Sequence, residues 1–422
     1  MRMIFYLLFF LLTAFPVFAQ NSLDYFIGKA EENSPVLNEY RNQEGSNRLQ
    51  GKLNHAQNSA FQVSVTGNYL FTPYFNNHGD LITTDPSPRA VGYDVALYDG
   101  GLYSAQVNVE HNLFNGKLTG ALNRQVQIQG ENFQYQFSLE QHSLKKDVTA
   151  QYLNALQYSL ETQLSQGIVD NLQQQLNLTG ELVEKGYAST RDYLLLQIEL
   201  KNQQMKFRDM KEQYKSNLLQ LYSLCGIRDT SLVEINPVAL EAASPMRTSN
   251  FMKKYELDSL AVVTEQTLFE TKYQPQLQAF FTTGLNAIQL QNIQRKFGMS
   301  AGLNLSLALF DGNQRSLTRQ QNRLTRQTIS EYRRYSERNI ALQRRNLQSQ
   351  MQSMKKNIRS LAGQIQDYED VLDISARQLQ QGSISMIDYL TLLRNSIDLR
   401  RSKIEAETNY QLAVNNYNYW NW

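Results

Sequence analysis

Two unrelated short motifs recur in this chain at one displacement, and that repetition limits what it can fold into more than any other feature. Leu113-Phe114-Asn115-Gly116 returns as Leu309-Phe310-Asp311-Gly312, and 310 − 114 = 196. Gly186-Tyr187-Ala188-Ser189-Thr190-Arg191-Asp192-Tyr193-Leu194 returns as Gly382-Ser383-Ile384-Ser385-Met386-Ile387-Asp388-Tyr389-Leu390, again with 388 − 192 = 196. The chain is therefore a tandem duplication with equal spacing inside each copy.

Ahead of each Phe-Asn/Asp-Gly motif the sequence has period two, the mark of strands with two unlike faces. Phe61, Val63, Val65, Tyr69 and Phe71 alternate with Gln62, Ser64, Thr66 and Asn68, and Tyr103 to Glu110 repeats the pattern. In the second copy Leu277, Ala279, Phe281 and Leu285 answer, then Phe297, Met299, Ala301, Leu303, Leu305, Leu307 and Leu309. Each copy thus holds one hairpin, over 61–114 and 277–309. A soluble sandwich would also alternate, but these are the only strong strands, and each has about the ten residues of a tilted membrane strand. Four strands cannot close a barrel, since even small ones need about eight. Three chains supply twelve, so oligomeric closure follows if the strands meet lipid, where an open edge is forbidden.

Between each turn and the next glycine motif runs a proline-free stretch, 117–185 and 313–381, each on the order of 100 Å long as a helix. In the second, Leu347, Met351, Met354, Ile358, Leu361, Ile365, Tyr368, Leu372, Ala376 and Leu379 step by four and three, a left-handed coiled-coil seam. In the first, Leu144, Val148, Tyr152, Leu156, Leu160 and Leu164 step by four. Gly186 and Gly382 can take the left-handed conformation that ends a helix. Ser189 to Asp192 and Ser385 to Asp388 are capping boxes that begin the next. The organisation is then a leading segment 1–19, a first repeat 20–227 with tip 186–190 and return helix 191–227, a linker 228–248 holding Pro237, and a second repeat 249–422 with tip 382–386 and return helix 387–418. Lead helices are expected over 23–60 and 250–273.

The leading segment fixes the compartment. Arg2, an apolar run from Ile4 to Phe18 and the small-residue end Val17-Phe18-Ala19 read as a secretory signal peptide cut before Gln20. Pro16 interrupts the run, which falls short of the roughly 20 residues of a membrane-spanning helix. With 41 Lys+Arg against 39 Asp+Glu, no nucleic-acid partner is indicated. The single Cys225 excludes an internal disulfide, and lies too far from Ala19 to carry a lipid anchor. His55, His78, His111 and His142 lack metal-ligand spacing, no phosphate-binding loop or nucleophile elbow is present, and Met351 and Met354 lie in the seam as core. No enzyme and no cofactor is expected.

On the duplicated strand exit and the duplicated Gly-x-x-Ser-x-x-Asp-Tyr-Leu tip, the sequence resembles the TolC-like outer membrane factor family over essentially the whole mature chain. The resemblance implies a mainly α fold with β: duplicated long helical hairpins forming a periplasmic α-barrel, with four membrane strands per protomer in a trimeric twelve-stranded outer-membrane β-barrel. It implies an outer-membrane location, lipid contact, and partnership with a periplasmic adaptor and an inner-membrane pump, in efflux or type I secretion. Carried over by position, adaptor contacts fall on Gly186, Tyr187, Ala188, Ser189 and Thr190, and on Gly382, Ser383, Ile384, Ser385 and Met386. Asp192 and Asp388 match acidic positions near the family's periplasmic aperture, with helix capping as their local role; Arg191 is either an aperture partner or an exposed tip arginine. The strand-to-helix turns are Phe114, Asn115, Gly116, Phe310, Asp311 and Gly312. Lys185 and Gln381 stand where the family often has an apolar residue, and Thr391 where a second acid can occur.

Two other classes share some of these features. A periplasmic coiled-coil adaptor or scaffold would carry one helical hairpin within β-rich domains, and the duplication argues against it. A secreted structural coiled coil would lack the alternating strands.

Overall fold

The structure, a computed structural model, describes residues 21–77, 80–83, 91–93, 103–288, 290–381 and 383–422. The expected signal segment, Gln289, Gly382 and residues 78–79, 84–90 and 94–102 lie outside the described residues. The described chain divides into two compact units: residues within 21–40, 135–253 and 333–422 form the first, and those within 41–134 and 254–332 the second.

Helices α1 (Leu23–Asn33) and α2 (Pro35–Ser59) replace the single lead helix expected over 23–60. The cause is Pro35, which pushes the preceding Ser34 out of the helical region (φ −63°, ψ 118°) and itself occupies a first helical turn, where its missing N–H costs nothing. Strands β1 (Gln62–Tyr69), β2 (Tyr74–Asn77), β3 (Asp80–Thr83) and β4 (Tyr103–Asn112) follow, then the 69-residue α3 (Gly116–Glu184) and α4 (Thr190–Cys225). The second copy has α5 (Lys253–Glu270) between two short 3₁₀ turns, β5 (Gln276–Ala287), β6 (Phe297–Ser306), the 67-residue α6 (Gln314–Gln380) and α7 (Met386–Trp420). No described helix is long and apolar enough to cross a membrane.

In the second unit, β1, β4, β5 and β6 form one antiparallel sheet in that order. The short β2–β3 pair was not expected from sequence; it sits inside the loop 73–100, and Phe75 bridges Val91 beside it. Asn47 Nδ2 donates to the Val126 carbonyl at 2.8 Å, tying α2 to the start of α3.

In the first unit, the long helices fold back on their return helices. Phe26 of α1 enters a cluster with Val148 and Tyr152 of α3 and Leu218, Leu221 and Tyr222 of α4. The buried Tyr152 hydroxyl reaches the carbonyls of Asn21 and Asn236, and burial pushes it up to about 12. On α6 every residue of the predicted seam from Leu347 to Leu379 is buried or half-buried, as a coiled-coil stripe requires. The linker has no helix or strand over 227–246. Three of its backbone N–H groups are met by side chains of α7 and its C-cap, Leu240 by Gln411 at 2.7 Å, Ala243 by Asn418 at 2.8 Å and Met246 by the C-cap Asn421 at 3.0 Å. Amides on one helix thus do for an irregular segment what a neighbouring strand would do.

Candidate functional site: the sheet faces and the helical tips

Strand register decides what the sheet can do, because a slip of one residue would send every side chain to the other face. Val63 pairs with Val109, Val109 with Phe281 and Phe281 with Ala301; Tyr69 pairs with Tyr103 and Leu277 with Leu305. All the apolar alternates of the four strands therefore share one face. The opposite face is joined by side-chain hydrogen bonds: Asn108 Nδ2 to Thr66 Oγ1 at 2.8 Å, Thr282 Oγ1 to Asn108 Oδ1 at 2.9 Å and Asn68 Nδ2 to Ser104 Oγ at 3.1 Å. One face suits hydrocarbon and the other water.

At the strand exits Phe114 and Phe310 are exposed, Phe310 to 89%. Gly116 opens α3, and the Asn115 amide donates to the Asn58 carbonyl. In the second copy Gly312 and Asn313 are both left-handed, at φ 63° and 71°, which turns the chain into α6. Asp311 accepts from the Arg315 backbone N–H at 2.7 Å and from the Tyr273 hydroxyl; the hydrogen bond holds the acid below its usual range and pushes Tyr273 up to about 12. Glu270 binds Arg319 and Arg315 at 2.7 and 2.6 Å, and the Arg319 hydrogen bond leads in lowering its carboxyl.

Both tips are built by one mechanism. Gly186 lies at φ 75°; its N–H donates to the Val183 carbonyl at 3.0 Å and that of Tyr187 to Leu182 at 2.8 Å, a Schellman turn. The Ser383 N–H donates to Gln378 at 2.8 Å, the matching bond 196 residues on. Gly382 itself lies outside the described residues. Ser189 and Ser385 are both extended N-caps: Ser189 Oγ accepts from the Arg191 N–H, Ser385 Oγ accepts from the Asp388 N–H, each at 3.2 Å, and the Ser385 hydroxyl donates to the Asp388 carboxylate at 2.6 Å.

The tip residues differ in exposure. Tyr187 is 81% exposed, and Gly186, Ser189, Thr190, Arg191, Ser383, Ser385 and Asp388 are exposed, while Ala188, Asp192 and Ile384 are half-buried. Met386, expected among the contact residues, is only 6% exposed. It belongs instead to the core below the tips, with Leu172 and Leu176 of α3, Leu196 and Leu200 of α4, and Tyr389 and Leu390 of α7. Sequence reasoning missed the adjoining pair Glu199 and Arg394, which links the two return helices from 195 residues apart. Two charges of opposite sign give no signal at that separation.

The outer membrane efflux protein family matches residues 84–227. The fold is that of the outer membrane protein VceC from Vibrio cholerae, at 12% identity and a TM-score of 0.70, covering 94% of this chain and 96% of that one. It is equally close to the Campylobacter jejuni outer membrane channel CmeC, at 11% identity and 0.69 over 94% and 85%, and similar to the open state of the Neisseria gonorrhoeae outer membrane channel MtrE, at 14% and 0.63 over 94% and 88%. No curated protein sequence matches. Sheet and hairpins give a mainly α fold with a small β domain, the fold these outer membrane channels share, and the outer membrane efflux protein match lies within it. The resemblance to the TolC-like outer membrane factors is borne out, and the adaptor alternative is set aside: the chain has two hairpins, and its fold follows channel proteins nearly end to end.

Proposed function

We propose that the chain is the outer-membrane channel subunit of a tripartite efflux or type I secretion system, a passive conduit from the periplasm or an inner-membrane pump to the exterior. The observation that carries this is the register, which gives one sheet a mostly apolar face, interrupted by His111 and Thr283, and a hydrogen-bonded polar face. Strands β1 and β6 are its edges and have no outer partner among the described residues. In hydrocarbon such edges must pair, and three copies closing edge to edge give a barrel of twelve strands with lipid outside and water inside. The long helices extend the duct through the periplasm.

The tips, centred on exposed Tyr187 and its counterpart Ser383, are the surface offered to a periplasmic adaptor. An exposed aromatic at a tip is an efficient contact anchor. Asp192 and Asp388 lie in the first turns of α4 and α7, behind the N-caps Ser189 and Ser385, and stand where three copies converge, with Arg191 beside them. Energy comes from the inner-membrane partner, and the subunit contributes geometry: opening separates the two hairpins at the tips.

Membrane fractionation followed by detergent-corrected light scattering of the mature protein tests the reading. A trimer extracted from the outer membrane is expected. A soluble periplasmic monomer would mean that the strands meet no lipid.

A further inference from the structure

Two residues are out of keeping with the polar face of the sheet. Among β1, β4, β5 and β6, Glu110 alone is a carboxylate or strong base, and Phe280 is the one large apolar side chain on that face. The register sets them opposite each other, Glu110 against Phe280, with Gln62 beyond the first and Gly302 beyond the second. Directly opposed residues hold their Cβ atoms about 5 Å apart.

Both side chains are positioned by neighbours. Gln278 Nε2 donates to Glu110 Oε2 at 3.0 Å, fixing the carboxylate beside β5. The ring of Phe280 lies across Gly302, where a Cβ would stand 2.6 Å from its Cζ. Glycine there gives the ring a flat seat, yet Phe280 remains 36% exposed and Glu110 is exposed. An accessible carboxylate beside an accessible aromatic ring is a recognition pair for a cation with an apolar body: the carboxylate supplies charge, and the ring supplies cation–π attraction and apolar contact.

We infer that Glu110 and Phe280 form a selection site for organic cations, ammonium, amidinium or phosphonium groups on an apolar body, repeated once per subunit around the lumen. The inference rests on the reading that this face lines a water-filled duct, and it names a cargo class that the reading leaves open. Elsewhere the lining offers neutral amides, hydroxyls and glycines, which discriminate little, so the preference of the barrel comes from this one level. It lies near the strand ends that lead into α3, since Glu110 precedes the Leu113-Phe114-Asn115-Gly116 exit.

The test uses the purified full-length protein in planar lipid bilayers, with tetraphenylphosphonium added to each side in turn and current recorded. Wild-type channels are expected to be blocked. Glu110→Gln, which keeps an acceptor for Gln278, should raise the half-blocking concentration, and Phe280→Leu should raise it about two- to fivefold; an uncharged triphenyl analogue should block neither form. Conducting channels whose block is the same in wild type and both variants would overturn the cation site while leaving the duct intact. Absence of any conducting wild-type channel would overturn the duct reading and the site together. Heat-stable trimers of both variants on gels exclude misassembly as the cause.

Discussion

Glu199 of α4, itself buried, and the half-exposed Arg394 of α7 form a bridge between the two copies: Arg394 Nη2 and Nε stand 2.6 and 2.9 Å from one carboxylate oxygen, and Gln203 Nε2 donates to the other at 2.8 Å. Glu199 is only 1% exposed. Burial alone would raise its pKa, but the hydrogen bonds from Arg394 and Gln203 outweigh it and hold the carboxyl below its usual value.

The sign of the pH dependence follows. An acid depressed in the folded state stabilises fully above its unfolded pKa, about 4.3 for glutamate, and that contribution is lost as pH falls through the folded value. Amides of α4 and α7 around 199 and 394 should therefore keep their hydrogen-exchange protection at neutral pH and lose it in acid below the ordinary glutamate range. Arg394→Ala at pH 7 should lower protection there by about 1–2 kcal/mol, the loss of a charged hydrogen bond reduced by the half-exposed guanidinium. Because the bridge joins the return helices, the same variant should raise single-channel conductance.

Gly284 controls the middle of the sheet. It lies at φ 149°, and a Cβ there would stand 2.2 Å from the Ala105 carbonyl oxygen and 2.7 Å from the Gln106 Cα, backbone atoms of β4 that cannot move aside. Gly284→Ala should break the β4–β5 pairing and abolish the trimer that the proposed barrel closure requires, read by cross-linking in outer membranes. Gly298→Ala, where a Cβ meets nothing within 4 Å, should assemble normally.

Gly186 is constrained by conformation alone, since no atom lies within 4 Å of its Cβ position. Gly186→Val should cost about 1–2 kcal/mol through the left-handed backbone and show as faster proteolysis at the tip with the trimer retained.

Tyr187→Ser leaves the Schellman turn intact and removes the exposed ring. Export and adaptor co-purification should fall while outer-membrane assembly is unchanged; normal export with full adaptor recovery would remove the tip from the contact surface.

Much of this fold could be read from sequence because its signals are periodic. The 196-residue offset recurs in the N-caps Ser189 and Ser385 and in the helix starts Thr190 and Met386. The period-two strands carry their facing in their own composition, since a slip of one residue would split the apolar residues between the two faces. Pro35 is a helix-start signal, but it stands within a long polar stretch whose weak periodicity does not mark the break. The β2–β3 pair has four residues per strand, too few for periodicity to register. Met386 and Thr190 occupy equivalent motif positions with opposite exposure, because the tip core draws on Tyr389 and Leu390 beneath the second tip. A motif fixes backbone conformation, and packing then decides which of its side chains face outward.

Disulfide trapping between β1 and β6 of neighbouring chains tests barrel closure most directly. Single cysteines at Ser64 or Thr66 would be combined with one at Ser300 or Asn304 and oxidised in outer membranes; the native Cys225 stays silent, its thiol buried and pushed up to about 12. Closure of three sheets edge to edge predicts covalent dimers and trimers for the pairs in register. Monomer alone for every pair, in protein recovered from the outer membrane, would contradict it.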